Sequence, residues 1–124
     1  MKSKFHVPFE TAQLLKEKGY NSLCDCYYMP DKELYLGILV SNMDYEDCGN
    51  CSAPTYHEVV DWLEGKGIRI EVRMAYRFRE KQWSWCGYIY IVEDEDYETS
   101  QLADWCSTRE QALNASILKA LEML

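Results

Sequence analysis

Residues 68–92 read Ile68-Arg69-Ile70-Glu71-Val72-Arg73-Met74-Ala75-Tyr76-Arg77-Phe78, then Arg79-Glu80-Lys81-Gln82, then Trp83-Ser84-Trp85-Cys86-Gly87-Tyr88-Ile89-Tyr90-Ile91-Val92. In an extended chain successive side chains point to opposite sides. Ile68, Ile70, Val72, Met74, Tyr76 and Phe78 therefore share one face, and Arg69, Glu71, Arg73, Ala75 and Arg77 share the other. Trp83, Trp85, Gly87, Ile89 and Ile91 repeat the pattern in the second run. A turn centred on Glu80-Lys81 pairs Phe78 with Trp83, Tyr76 with Trp85, Met74 with Gly87, Val72 with Ile89 and Ile70 with Ile91. A slip of one residue would turn one apolar set to water, whereas a slip of two keeps the face. The large aromatics Tyr76, Phe78, Trp83 and Trp85 are expected in a plain core beneath Val59, Leu63, Leu113 and Ile117.

Working outward, Pro8 and Gly19 bracket a helix over 9–18, with Phe9, Ala12 and Leu15 as its apolar stripe. Residues 23–29 and 33–40 form two strands joined by Pro30-Asp31-Lys32, with Leu34, Leu36, Ile38 and Val40 alternating onto one face. Residues 41–52 read as a polar acidic loop. Thr55-Tyr56-His57-Glu58 is a T-x-x-E capping box opening a helix that Gly65 and Gly67 end. Residues 93–98 hold five carboxylates in six positions and read as a solvated loop. Residues 102–106 are left undecided between loop and short strand. Ser107-Thr108-Arg109-Glu110 reads as a second capping box, before a helix that buries Leu113, Ile117, Leu121 and Leu124 with Ala120 beside them. The order is α-β-β-α-β-β-α. Two hairpins separated by helices predict an α+β fold, with an antiparallel sheet of about four strands and three helices mainly on one face.

A length of 124 residues with 48% hydrophobic and 14% aromatic content suits one folded domain over 1–124 and excludes intrinsic disorder. The net charge of −8 argues against a general nucleic-acid or anionic-membrane binder. No apolar run approaches the length that spans a bilayer, so no membrane role is expected. Pro8 and Glu10 interrupt any apolar stretch after Met1-Lys2-Ser3-Lys4, so no secretion signal is read and a cytoplasmic location is expected.

The charge is unevenly spread. Four of the five arginines, Arg69, Arg73, Arg77 and Arg79, fall within 69–79. Residues 67–82 carry five basic and two acidic groups, net +3, leaving −11 for the remainder. The face bearing Arg69, Arg73 and Arg77, with Tyr88 and Tyr90 from the partner strand, is the candidate binding surface. Arginines among tyrosine rings suit bases or phosphates, or an acidic protein segment. They also suit the ordinary work of balancing the chain's own carboxylates and keeping an outer face soluble.

The six cysteines, Cys24, Cys26, Cys48, Cys51, Cys86 and Cys106, are expected to be reduced thiols, several of them buried. Cys48-Gly49-Asn50-Cys51 could supply two thiolates to a structural zinc, with Cys24 and Cys26 as the other pair. On a regular strand, however, Cys24 and Cys26 lie roughly 6–7 Å apart, too far for one tetrahedral ion unless a bulge intervenes or His6 or His57 replaces one ligand. A thioredoxin-like dithiol is disfavoured, because the helix starts several residues later and Glu46 and Asp47 would raise the thiol pKa. No P-loop, G-x-G-x-x-G or H-E-x-x-H motif is present, and no carboxylate stands in an apolar setting. The expectation is a protein that is not an enzyme.

Ala53-Pro54-Thr55-Tyr56-His57-Glu58-Val59-Val60-Asp61-Trp62-Leu63, followed by a glycine stop and Ile68-Arg69-Ile70, resembles a group of small uncharacterised proteins of Bacteroides-type gut bacteria and their phages. These pair an A-P-T-Y-x-x-V-x-D-W-L helix with a C-terminal T-x-E-x-A-L helix, matched here by Thr108-Arg109-Glu110-Gln111-Ala112-Leu113. The resemblance covers about half of the chain and implies a cytosolic, phage or mobile-element background. It carries no activity, cofactor or site. Cys48 and Cys51 fall outside its pattern. The functional expectation is a small non-catalytic protein that binds another protein or itself. The alternatives are an anion or single-stranded nucleic-acid binder through Arg69, Arg73, Arg77, Tyr88 and Tyr90, and a zinc-stabilised module.

Overall fold

Each hairpin lies in its own three-stranded antiparallel sheet, ordered β2-β1-β3 and β4-β5-β6. This computed structural model describes residues 3–42, 49–93, 96–101 and 105–124. Among the described residues three helices accompany the sheets, in the order α-β-β-β-α-β-β-β-α, and the class is α+β. The pairing differs from a single four-stranded sheet in that each hairpin recruits a third strand of its own. The chain divides into two compact units, Met1–Tyr56 with Leu124 and His57–Met123.

In the first unit, α1 (Phe9–Glu17) begins at Pro8 and buries Thr11, Ala12 and Leu15. Gly19 ends it with φ of 90°, where a side chain would be strained. The Gly19 amide donates to Lys16 O at 3.2 Å and the Tyr20 amide to Leu15 O at 2.9 Å. That pair of bonds satisfies the last helical carbonyls, while Tyr20 and Leu15 are both fully buried.

Strands β1 (Cys24–Tyr28) and β2 (Leu34–Val40) pair through the turn that Pro30-Asp31 predicted. Lys32 takes a left-handed φ of 66°, and Asp31 accepts from the Glu33 amide at 2.9 Å and the Tyr35 hydroxyl at 2.8 Å. Between Cys24 and Cys26 the ladder is irregular: Cys24 faces Val40 and Cys26 faces Leu36, so β2 accommodates two extra residues there. Leu34 is buried, but Leu36 is exposed, so the alternating face of β2 is not covered throughout. The stretch read as an acidic loop ends in β3 (Cys51–Ser52), which pairs with β1. Asn42 ties this end together, donating to Tyr20 O at 2.7 Å and accepting from the Ser52 amide at 2.8 Å. Residues 5–7 run beside 54–56, joined by a His6–Thr55 bridge. Tyr28 donates its buried hydroxyl to Val7 O at 2.6 Å.

In the second unit, α2 (Tyr56–Gly65) buries Val59 and Leu63 and stops where Gly67 turns left-handed, φ 84°. β4 (Ile68–Arg77) pairs with β5 (Gln82–Glu93) along its whole length. The register is shifted by two from the sequence expectation: Ile70 faces Ile89, Val72 faces Gly87, Met74 faces Trp85 and Tyr76 faces Trp83. The apolar face is preserved, as the period of two requires. The shift arises because the loop occupies 78–81, with Lys81 left-handed at φ 54°, which expels Phe78 from the ladder.

The acidic stretch expected to be a loop contributes β6 (Asp96–Gln101), paired with β5 from Glu93–Asp96 to Tyr88–Gln101. Cys106 forms an isolated bridge to Trp85; residues 102–104 of the undecided segment lie outside those described. α3 (Arg109–Leu121) is capped by Thr108, not Ser107, and its capping box closes with Gln111, not Glu110. It packs against β4 and β5. Its buried stripe is Ala112, Ser116, Ile117, Ala120 and Leu121. Leu113 is only half-buried and Leu124 is exposed, against expectation.

Candidate interaction surface

The sequence assigned Arg69, Arg73, Arg77, Tyr88 and Tyr90 to one face of the β4–β5 hairpin. The register places Arg69 opposite Tyr90 and Arg73 opposite Cys86, with Glu71 opposite Tyr88. Arg73 meets Tyr88 diagonally: its guanidinium lies 4.7 Å from the ring centroid. Arg73 donates to Glu71 at 2.8 Å and to the Tyr90 hydroxyl at 2.9 Å. Tyr90 in turn donates to the same Glu71 oxygen at 3.2 Å, and Arg69 approaches Glu71 at 3.5 Å. Glu71 is therefore the centre of the cluster, a role its place in an alternating strand did not reveal. The Arg73 hydrogen bond, then those of Tyr90 and the charge of Arg69, hold its carboxyl below the usual carboxylate range against partial burial. Arg77 stands apart, 3.2 Å from Glu80 and stacked 5.1 Å from the Trp105 ring centroid.

This geometry changes what the face can do. A carboxylate sits among the arginines, so an incoming phosphate would meet a negative charge where the sequence suggested a positive one. Arg73 covers one tyrosine ring and binds the hydroxyl of the other, leaving less platform for bases. The cluster is internally satisfied.

The opposite face is the surprise. Ile68, Ile70 and Ile89, at the end away from the turn, are buried. Towards the turn the same face opens: Phe78 is 82% exposed, Trp83 63%, Met74 50% and Tyr76 38%. The aromatic residues expected in the core thus form a surface cluster, with Trp85 half-buried at its margin. Tyr76 meets Phe78 edge-on at 5.1 Å between centroids and Trp83 at 5.4 Å. Arg79 and Lys81 are exposed beside it in the loop. Length could have disclosed this: ten strand residues span ~33 Å, whereas the 13-residue α3 is only ~20 Å long. The helix cannot cover the hairpin from end to end.

The four-cysteine zinc set does not assemble among the described residues. Cys24, Cys26 and Cys51 are buried, and with Cys86 and Cys106 they form no disulfide. No trio drawn from Cys24, Cys26 and Cys51 converges on one point among the described residues, and Cys48 lies outside them. Burial pushes the Cys51 thiol up to about 11, the nearby Lys16 pulling weakly the other way. His57 is an exposed helix residue 3.5 Å from Asp61. His6, by contrast, lies with Asp25 and Cys26, whose ligand atoms are all within 4.8 Å of one another. Among the described residues no helix is long and apolar enough to cross a membrane. Comparison of the chain with protein-family models, with curated proteins and with solved structures finds no match.

Proposed function

We propose that the protein is a non-catalytic binding protein whose β4–β5 hairpin takes up an acidic segment of another protein carrying aromatic or aliphatic anchors. The observation that carries this reading is the surface cluster of Met74, Tyr76, Phe78 and Trp83. Large aromatic side chains left in water forfeit the burial that normally stabilises them, and contiguous apolar patches mark interaction sites. Trp and Tyr are also the residue types that dominate binding energy once buried. The charge of the partner follows from the rim, where Arg79 and Lys81 stand beside the rings within a stretch of net +3. The Arg69–Glu71–Arg73–Tyr90 cluster on the other face supports the strand and is not the contact surface in this reading.

The test is selection of a random peptide library against the full chain. Enrichment of acidic peptides with Leu, Phe, Tyr or Trp is expected, with binding weakened at least tenfold by Phe78→Ser or Trp83→Ser while the melting temperature is held. Three results would overturn the proposal. One is selection without such peptides. Another is a dimer dissolved by the same substitutions in light scattering, which would assign the patch to self-association. The third is tight, steeply salt-dependent binding of a single-stranded oligothymidylate lost on replacing Arg73 and Arg77, which would restore the nucleic-acid alternative.

A further inference from the structure

We infer that His6, Asp25 and Cys26 form a zinc(II) site of three protein ligands with the fourth position left to water. A ring nitrogen of His6, an Asp25 carboxylate oxygen and the Cys26 Sγ lie within 4.8 Å of one another, and Nε2 is 3.6 Å from Asp25 Oδ1. Ligands at the usual bond lengths of a tetrahedral zinc stand about 3.4–3.6 Å apart, so only a small closure is needed. Nitrogen, oxygen and sulfur donors together suit this borderline ion, and neither calcium nor magnesium would choose a thiolate.

In a regular strand Asp25 and Cys26 would point to opposite sides of the sheet. β1 keeps that alternation, Asp25 exposed between buried Cys24 and Cys26, yet a ligand atom of Asp25 and one of Cys26 each lie within 4.8 Å of His6. His6 is brought to them by the short pairing of 5–7 with 54–56, in which the Val7 amide donates to Pro54 O at 3.0 Å and the Tyr56 amide to Phe5 O at 3.0 Å.

The state of the imidazole is the second observation. Its Nε2 is buried and makes no hydrogen bond, although the side chain as a whole is only 14% exposed. Burying a polar nitrogen without a partner is costly. Its Nδ1 is meanwhile 2.8 Å from Ser3 Oγ. With Nδ1–H donating to that hydroxyl, Nε2 carries the lone pair and stands beside the Asp25 carboxylate. A metal-bound histidine has this arrangement, its other ring nitrogen fixed by an outer partner. Binding requires neutral His6 and ionised Cys26, so zinc uptake releases protons and weakens as pH falls.

The experiment is titration of the reduced full-length chain with cobalt(II), followed by displacement with zinc(II), read by absorption and calorimetry. One equivalent is expected, with thiolate-to-cobalt charge transfer and the intense visible bands of a tetrahedral ion. Cys26→Ser should abolish the charge-transfer band and His6→Gln should lower affinity at least tenfold. Because Cys26 is buried and its variant can misfold, the exposed Asp25→Asn provides the second arm, again with a tenfold loss. Ser3→Ala should cost about tenfold through the outer hydrogen bond. Cys48→Ser should change nothing. The site is refuted by a chain that takes up no stoichiometric cobalt, by uptake indifferent to His6→Gln and Asp25→Asn, or by uptake lost in Cys48→Ser.

Discussion

Tyr76 stands directly opposite Trp83 in the β4–β5 ladder, with the rings 5.4 Å apart, and both remain open to water. A cross-strand aromatic pair of this kind contributes roughly 0.2–1 kcal/mol. Truncating one member should therefore cost little. Phe78→Ser should shift unfolding by less than about 0.5 kcal/mol and Trp83→Ser by less than about 1 kcal/mol. Ile89→Ala, in the covered half of the same strand, should cost about 2–5 kcal/mol. Urea denaturation distinguishes them, and a loss above about 2 kcal/mol at Phe78 would mean that the ring is covered.

Glu71 offers a pH test. Its carboxyl is held low chiefly by Arg73, so the folded state binds its proton more weakly than the unfolded chain does. The contribution is present above the ordinary carboxylate range and disappears as pH falls through the depressed value. In carbon-detected NMR the Glu71 carboxyl should titrate below the other glutamates, and Arg73→Ala should move it upward. Glu71→Gln should flatten the corresponding acid limb of stability. An unshifted titration would dissolve the cluster.

Tyr28 titrates at the other extreme. Burial, then the neighbouring Tyr56, Cys51, Glu10 and Cys26, push its phenol up to about 12 from an ordinary 10. Its contribution to stability is therefore complete below pH 10 and is lost as pH rises towards 12. Ultraviolet titration should show one tyrosine ionising last, and Tyr28→Phe should remove that component. The same substitution strips Val7 O of its donor and should destabilise the fold by about 1–3 kcal/mol.

The cap of α3 can be read from two substitutions. Thr108 Oγ1 accepts from the Gln111 amide at 3.1 Å, and the Gln111 side chain accepts from the Thr108 amide at 3.3 Å and from the Ser107 amide at 3.0 Å. Thr108→Ala should cost about 1 kcal/mol, whereas Ser107→Ala should cost less than about 0.5 kcal/mol. Equal losses would place the cap one residue earlier, where the sequence reading put it.

Several elements were legible because local chemistry dictated them. Pro8 and Gly19 bound α1, Gly67 stops α2, and alternation identified both strands of each hairpin. The register was not legible, since pairings two residues apart bury the same face and only the left-handed Lys81 decides between them. β3 was hidden by its two-residue length, and β6 by carboxylates that masked a backbone able to pair. On the surface, alternation gathered Arg69, Arg73, Arg77, Tyr88 and Tyr90 onto one side. It did not disclose Glu71 as the common partner of Arg69, Arg73 and Tyr90, because that depends on register. The trio of His6, Asp25 and Cys26 was invisible for a similar reason. It requires a contact between segments some fifty residues apart, which no single motif encodes.

The hairpin that outruns its helix is also two materials in one ladder. Around Ile70 and Ile89 the rungs rest on a closed interior, and breaking them means breaking the unit. Beyond Trp85 the rungs Ala75–Ser84, Tyr76–Trp83 and Arg77–Gln82 have one face in water. They should open by local fluctuation, with amide exchange accelerating towards the turn. The tip can thus be reshaped by whatever it grips at a fraction of the global unfolding free energy, while the isoleucine half keeps its place.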